Sequence, residues 1–395
     1  MKKNSISKLL ALLCAVAFAS RFTSSAPVRS VLVFRHCVRS TKNTTYYENT
    51  TRPLNDFSAQ PEHAFPKWPV PEYECMPQGL DLIQSAGEQL FPSLPQPLLA
   101  ENILVDAGAS RDNDTAKALL RGFGYPEDFL TPDACLFDPV SCRYCPSYPS
   151  DTMAAAVQAR FESFPPPHDL EALLTSLQTR VLLPGIAPAL PDIPNVVSDD
   201  GWLVGGVTAG ADIAETFLMQ LGSGYGVSPN SSSSEEVVGW GEITPEEVRT
   251  FLQLQVYKRG VQDRTLVLDA YSHSNMANTI MDFLDGSGNG TLILVGHDTE
   301  LDALATLFGI SWNTDPFPMN ATTPGSALRF DVVDDSSAVA VSMHYQTLEP
   351  GTSDVLTVPA QYTWWTSTIL PSLVDIRDWL SPRLDDSCSP SKTNL

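Results

Sequence analysis

Positive charge is scarce in this chain. Of 395 residues only 24 are Lys or Arg, against 46 Asp or Glu, for a formal charge of −22. A surface this acidic excludes nucleic acid and anionic membrane as partners and mainly aids solubility. Histidine is scarcer still, with six residues: His36, His63, His168, His273, His297 and His344. Long apolar runs are missing beyond the first 20 residues. The stretch 364–380 is broken by Pro371, Asp375, Arg377 and Asp378, so no stable membrane anchor is expected. No internal repeat is visible, and the length allows one large domain or two smaller ones.

What is present begins with a leader. Lys2, Lys3 and Lys8 precede the apolar run 9–19, and Ala17-Phe18-Ala19 is a small-x-small cleavage pattern. Residues 1–19 are therefore expected to be a signal peptide, and the mature chain to be exported: secreted, or periplasmic or lysosomal-like according to host. Removing the leader leaves six cysteines, Cys37, Cys75, Cys135, Cys142, Cys145 and Cys388, an even number that favours disulfides in an oxidising compartment. Cys135, Cys142 and Cys145 are spaced like part of a zinc knuckle but lack a fourth close ligand, so neither a metal nor another cofactor is expected. Six acceptor sequons, at Asn43, Asn49, Asn113, Asn230, Asn289 and Asn320, suit a secreted glycoprotein. Asn113 is expected to stay unmodified, because a glycan there would crowd Arg111.

Three apolar runs end in polar or charged residues. Ser30-Val31-Leu32-Val33-Phe34 stops at Arg35-His36-Cys37-Val38-Arg39; Ile103-Leu104-Val105-Asp106 leads to Arg111; Leu292-Ile293-Leu294-Val295 stops at Gly296-His297-Asp298. Short apolar, β-branched-rich runs separated by helix-like stretches read as buried parallel strands, and ligands of open α/β sheets sit at the carboxyl ends of such strands. That rule gathers three Arg, two His and one Asp around one crevice. Phosphoryl transfer without metal needs cations on the equatorial oxygens, a nucleophile in line and an acid for the leaving oxygen. Arg35, Arg39 and Arg111 supply planar forks matched to phosphate, His36 a nucleophile, His297 a further donor and Asp298 an acid. Taken singly, the two Arg of the first motif would be surface ion pairs, and Asp298 an N-cap beside a buried His. His36-Cys37 also resembles the motif of cysteine-dependent phosphatases, which carry Arg six residues after the Cys; Asn43 stands there, so Cys37 is not expected to be the nucleophile.

The pattern resembles the histidine acid phosphatase branch of the histidine phosphatase superfamily. Its R-H-G-x-R-x-P signature corresponds to Arg35-His36-Cys37-Val38-Arg39-Ser40-Thr41, and its H-D signature to His297-Asp298. Pro77-Gln78-Gly79, Arg111 with Thr115-Ala116, Glu215-Thr216-Phe217-Leu218-Met219-Gln220, Gly239-Trp240-Gly241 and Pro324-Gly325 also fit, the cap elements being similar to the bacterial phytase and glucose-phosphate phosphatase group. The resemblance covers about residues 30–350. It implies His36 as the nucleophile forming a phosphohistidine, Arg35, Arg39, Arg111 and His297 as phosphate ligands, and Asp298 as proton donor. It also implies that Cys388 is tied back to one of Cys135, Cys142 and Cys145. Cys37 replaces the signature Gly and Thr41 the signature Pro; two readings of Cys37 stay open, a bond to Cys75 that tethers the loop and the mark of a non-catalytic phosphate-binding homologue.

The expected fold class is α/β: a mostly parallel central sheet flanked by helices, residues 27–125 and 261–395, with an inserted, mainly α-helical cap at 126–260. Helices are expected at 79–90, 112–122, 170–183, 209–221, 245–257 and 274–284, an antiparallel edge hairpin at 327–346, a polar, Pro-rich loop without regular structure at 40–77 that is long enough to line the site, and a flexible surface loop at 222–236. The expected substrate is a phosphate monoester, with oligomeric state left open. Lys42 sits where the phytase group carries a phosphate-contacting Lys, so an inositol polyphosphate is the alternative. That ligand demands more cations, and the helix expected at 274 opens with Ser274, Asn275 and Met276 where an Arg would suit it. His273 is read as a capping or surface residue. An acidic optimum follows if Asp298 must be protonated while His36 attacks unprotonated.

Overall fold

A single strand can carry both helical layers of the fold, because side chains alternate across a strand. In β1 (Arg29–Arg35) Val31 and Val33 face one core while Leu32 and Phe34 face another, all fully buried. The structure is a computed structural model and describes residues 27–42, 44–47, 50–53, 68–140, 142, 145, 150–182, 188–224, 243–333, 337–349 and 351–388. The expected leader at 1–19, the sequons Asn43, Asn49 and Asn230, Gly239-Trp240-Gly241 and most of the loop 222–236 lie outside the described residues. No helix among the described residues is long and apolar enough to cross a membrane.

After β1 come a hairpin, β2 (Thr44–Tyr47) and β3 (Thr50–Pro53), then α1 (Pro77–Leu90), β4 (Leu98–Val105), α2 (Ser110–Phe123) and the short β5 (Thr131–Pro132) and α3 (Ala134–Phe137). A helical stretch follows: α4 (Ser150–Ser163), α5 (Leu170–Arg180), a small ribbon of β6 (Val196–Val197) and β7 (Leu203–Val204), α6 (Gly206–Gly222) and α7 (Pro245–Gln262). The chain then returns through α8 (Leu266–Asp282), β8 (Gly290–Gly296), α9 (Asp298–Phe308), β9 (Ile310–Trp312), β10 (Ala327–Val333), β11 (Ala338–Gln346), β12 (Val355–Tyr362) and α10 (Leu373–Leu380).

The main sheet runs β5-β4-β8-β1-β10-β11-β12-β9. Strands β5, β4, β8 and β1 pair in parallel, and from β1 onward every pairing is antiparallel. The parallel half is the half that ends at the charged motifs. Helices α1 and α2 cover one face, and α8, α9 and α10 the other. A separate apolar cluster holds α4 to α7 together, reaching Val38 and Met76 at its edge. The fold is thus α/β, with a central sheet, flanking helices and a helical domain.

Four expectations change. In the stretch 40–77, expected to lack regular structure, β2 and β3 pair as an antiparallel hairpin. The hairpin of β10 and β11 forms, but inside the sheet, since β1 and β12 pair with its two sides. Helix α8 begins at Leu266, so Ser274 and Met276 lie in mid-helix, fully buried; Ser274 accepts from Asp385 N at 2.7 Å. His273 is buried rather than on the surface, with Nδ1 2.6 Å from Ser272 Oγ.

Candidate active site

The ends of β1 and β8 lie side by side, Arg35 opposite Gly296. The backbone N–H of His36 donates to Gly296 O at 2.8 Å, and Gly325 N–H donates to His36 O at 2.9 Å. Gly325 has φ +73°, a conformation that L side chains seldom adopt, which is why glycine serves this clamp. On the other side the start of α1 abuts the turn: a Cβ at Gly79 would collide with Val38 O. Cys37 is bonded to Cys75 with Cα atoms 5.8 Å apart, and its N–H donates to Thr115 Oγ1 at 2.9 Å. Cys37 is not among the described residues with positive φ, so the turn takes Cys in place of Gly without strain, and its sulfur is committed to the disulfide. The other pairs are Cys135–Cys142 and Cys145–Cys388, the second tying the C-terminal cysteine to the expected group.

His36 is buried, and its Nδ1 lies 2.8 Å from Cys37 O. A carbonyl only accepts, so Nδ1 carries the hydrogen and Nε2 keeps a free lone pair. Burial, then Arg39 and Arg35, hold its imidazole well below the usual histidine range, leaving it neutral. Arg35 is fully buried; its Nη2 lies 2.8 Å from Glu215 Oε1 and 3.0 Å from Asp298 Oδ2, and its Nη1 donates to Thr322 O. Arg39 shares Glu215 at 3.3 Å. The ring of Tyr73, itself at φ 68°, has Arg39 at 5.2 Å and Arg111 at 5.8 Å.

The second motif opens α9. His297 is the residue before the helix, and its backbone N–H donates to Glu300 Oε2 at 2.5 Å. Its ring stands edge-on to His36, centroids 5.7 Å apart, with Arg111 Nη2 3.3 Å from Nδ1. Asp106 lies 3.2 Å from Nε2 and Asp112 3.3 Å from Nδ1. Burial opposes charge on this ring, but the two carboxylates more than offset it and lift the pKa to about 10. These three side chains have metal-ligand spacing, with donor atoms within 4.8 Å. The positive charge of Arg111 against the same ring opposes a second cation, and an imidazolium already accounts for both carboxylates.

Asp298 is the first helical residue rather than a side-chain cap. Burial would push its carboxyl up; Arg259, 2.8 Å away, and Arg35 overcome this and hold it well below the usual carboxylate range. Lys42 is exposed and lines a recess of about 170 Å³ together with Arg39, Tyr73, Asp212 and Glu215.

The geometry therefore gathers Arg35, Arg39, Arg111, His36, His297 and Asp298 in one crevice and leaves Lys42 at its rim. Sequence reasoning missed Asp106, Asp112, Tyr73 and Arg259 as site residues, and met Glu215 only as part of a helical element. Asp106 could have been found, since it ends the second apolar run as His297 follows the third. Arg259 carries no signal in the sequence; it depends on α7 packing beside α9.

No protein-family model matches this chain. The chain is 25% identical to phytase AppA of Escherichia coli (strain K12) over 402 residues, covering 86% of both proteins. Its fold is shared with Hafnia alvei phytase in complex with tartrate, at TM-score 0.71 and 24% identity over 92% of this chain and 98% of that one. The phytase from Citrobacter braakii matches at TM-score 0.72 and 21% identity, covering 93% and 100%. Both signatures close on one crevice of this fold, and the homology to phytase AppA supports assignment of the chain to the histidine acid phosphatase family.

Proposed function

We propose that this protein hydrolyses phosphate monoesters through a covalent phosphohistidine, as a histidine acid phosphatase, with His36 as nucleophile. One observation carries the reading: the Nδ1 hydrogen of His36 is spent on Cys37 O, which leaves Nε2 free and unprotonated within reach of Arg35, Arg39 and Arg111. The three guanidiniums and the imidazolium of His297 neutralise the equatorial oxygens. Asp298, across the crevice, gives a proton to the leaving oxygen and takes one back from the water that opens the phosphohistidine. Because Asp298 starts as a carboxylate of low pKa while His36 stays neutral, turnover that needs the protonated acid favours acidic pH.

Residues 27–125 and 261–395 are assigned to the catalytic core and 126–260 to a cap that forms one wall, since Glu215 on α6 and Arg259 on α7 both reach the crevice. Three disulfides suit an exported protein, secreted or periplasmic. The non-catalytic alternative loses its motive, as Cys37 leaves the turn unstrained. An inositol polyphosphate is the second reading, favoured by the phytases among the similar proteins and by Lys42 at the rim. Against it, the recess that would take further phosphates is lined by the carboxylates of Asp212 and Glu215 as well as by Arg39 and Lys42. The decisive experiment is to quench turnover of labelled p-nitrophenyl phosphate in the presence of a chelator and map the labelled residue. Label on His36 is expected; label elsewhere overturns the assignment. Relative rates on phytate and sugar phosphates separate the two substrate readings.

A further inference from the structure

Asp298 is gripped from a side that neither phosphate signature includes. Arg259, on α7, sets Nη1 2.8 Å from Asp298 Oδ2, while its Nε and Nη2 lie 2.6 and 2.5 Å from Asp302 Oδ2. Asp302 stands one turn further along α9, almost wholly buried, and its other oxygen accepts from Arg264 at 2.6 and 2.8 Å. Arg264, Asp302, Arg259 and Asp298 thus form a continuous chain of ion pairs that ends in the crevice. Asp263, 3.7 Å from Arg259, closes the chain on the far side.

Arg35 also holds Asp298, at 3.0 Å. Its fork is one that a bound phosphate would claim, and two nitrogens of Arg259 are already committed to Asp302. When ester binds, Arg259 is therefore the cation left on the carboxyl. We propose that Arg259 is a positioning residue for Asp298, holding the carboxyl on the leaving-group side of the crevice and setting the pH range over which it carries a proton. This rests on the phosphohistidine reading above. In that reaction His36 Nε2 bonds to phosphorus as the bond to the ester oxygen breaks, and the electron pair on that oxygen takes the proton of Asp298, releasing an alcohol. The carboxylate then accepts a proton from water as the water oxygen bonds to phosphorus and the P–N bond breaks, restoring neutral His36.

The charged groups facing Asp298 come from every neighbouring element. Arg35, His36 and Arg39 lie at the first motif, Glu215 on α6 with Asp212 and Lys258 behind it, Arg259 and Asp263 at α7, and Asp302 on its own helix. Of these, Arg259 pulls hardest against the burial of the carboxyl.

The test is kcat against pH for Arg259→Met, Arg259→Lys and Asp302→Asn, on glycerol phosphate, whose alkoxide must be protonated to leave, and on p-nitrophenyl phosphate, whose phenolate need not be. For Arg259→Met the basic limb on glycerol phosphate is expected to move up by about one to three pH units, the scale of losing one adjacent opposite charge. Arg259→Lys should move it less, and the p-nitrophenyl limb should move less than the glycerol limb. Asp302→Asn should move it down, because Arg259 loses the carboxylate that competes with Asp298. A glycerol phosphate limb unmoved in a folded Arg259→Met overturns the proposal. If that variant does not fold, an unmoved limb in Asp302→Asn overturns it instead. A parent protein without turnover would sink the phosphatase reading and this inference together, whereas an active parent with unmoved variants sinks this inference alone.

Discussion

Two histidines stand 5.7 Å apart in this crevice and are driven in opposite directions. His36 is ringed by guanidiniums and holds no charge; His297 is flanked by Asp106 and Asp112 and keeps its charge up to about 10. Burial alone would discharge both. What separates them is the sign of the fixed neighbours, supplied by β1 and its turn on one side and by the end of β4 and the start of α2 on the other. The same side chain is thereby made a nucleophile at one pole and a permanent cation at the other, within one phosphate's reach. In a chain of net charge −22 the site is built by where its few cations are placed, not by how many there are.

Removing the neutral pole should do most damage. His36→Ala is expected to lower kcat by about 10⁴-fold or more, the scale seen when a covalent nucleophile is deleted. If the variant kept parental activity, the contrast between the two rings would have no catalytic meaning. Next in size is the tether behind that ring. The Cys37–Cys75 disulfide closes a loop of 38 residues, and Cys37→Ser with Cys75→Ser should cost about 3–4 kcal/mol of stability in denaturant unfolding. Because Cys37 O orients His36, kcat should fall as well; an unchanged kcat would mean that the imidazole needs no such hold.

The charged pole is tested by Asp112→Asn. It removes one of the two carboxylates on His297, so the pKa falls and phosphate loses a charged partner as pH rises. Inhibition by inorganic phosphate at pH 8 should weaken by about 10-fold, one charge-assisted contact at about 1.5 kcal/mol. A pH dependence matching the parent's would break the comparison at this end. Stability follows with opposite signs. For His297, raised from about 6.5 to about 10, the contribution is complete below about 6.5 and lost as pH climbs through about 10; in Asp112→Asn it should vanish at less alkaline pH. For His36, whose pKa is depressed, the contribution is present above about 6.5 and lost as pH falls below that.

The sheet strands at the site were legible because each is a short apolar run ending abruptly in polar or charged residues, a pattern that local sequence alone dictates. Helices α6 and α7 were legible for similar reasons, though each runs a few residues beyond its expected bounds. Helix α4 and strand β12 were not: α4 is rich in Ala and spreads its apolar residues around the cylinder, and β12 contains Pro359 and is half exposed, so neither shows a period. At the site, Arg35, Arg39 and His297 could be read from the two signatures and Arg111 from the second apolar run, but of the charged groups that hold them only Asp106 could. Asp112, Glu215 and Arg259 act through elements that meet only in three dimensions, and a charged residue on an ordinary helix looks the same whether it faces water or a buried Asp298.

Lys42 offers the finest test of placement against number. It is the cation nearest in sequence to the first signature, yet it is exposed and shares its recess with the carboxylates of Asp212 and Glu215. An exposed cation in water contributes about 0–1 kcal/mol to a contact, which is at most about fivefold in binding. Lys42→Ala should therefore leave kcat on p-nitrophenyl phosphate unchanged and raise KM by less than about fivefold. On phytate, whose additional phosphates would extend toward the rim, the rise should be larger than on a simple monoester if Lys42 binds substrate at all. An equal small change on both esters would make Lys42 an ordinary solvated side chain, and would confine phosphate recognition to the cations buried between the two imidazoles and their neighbours.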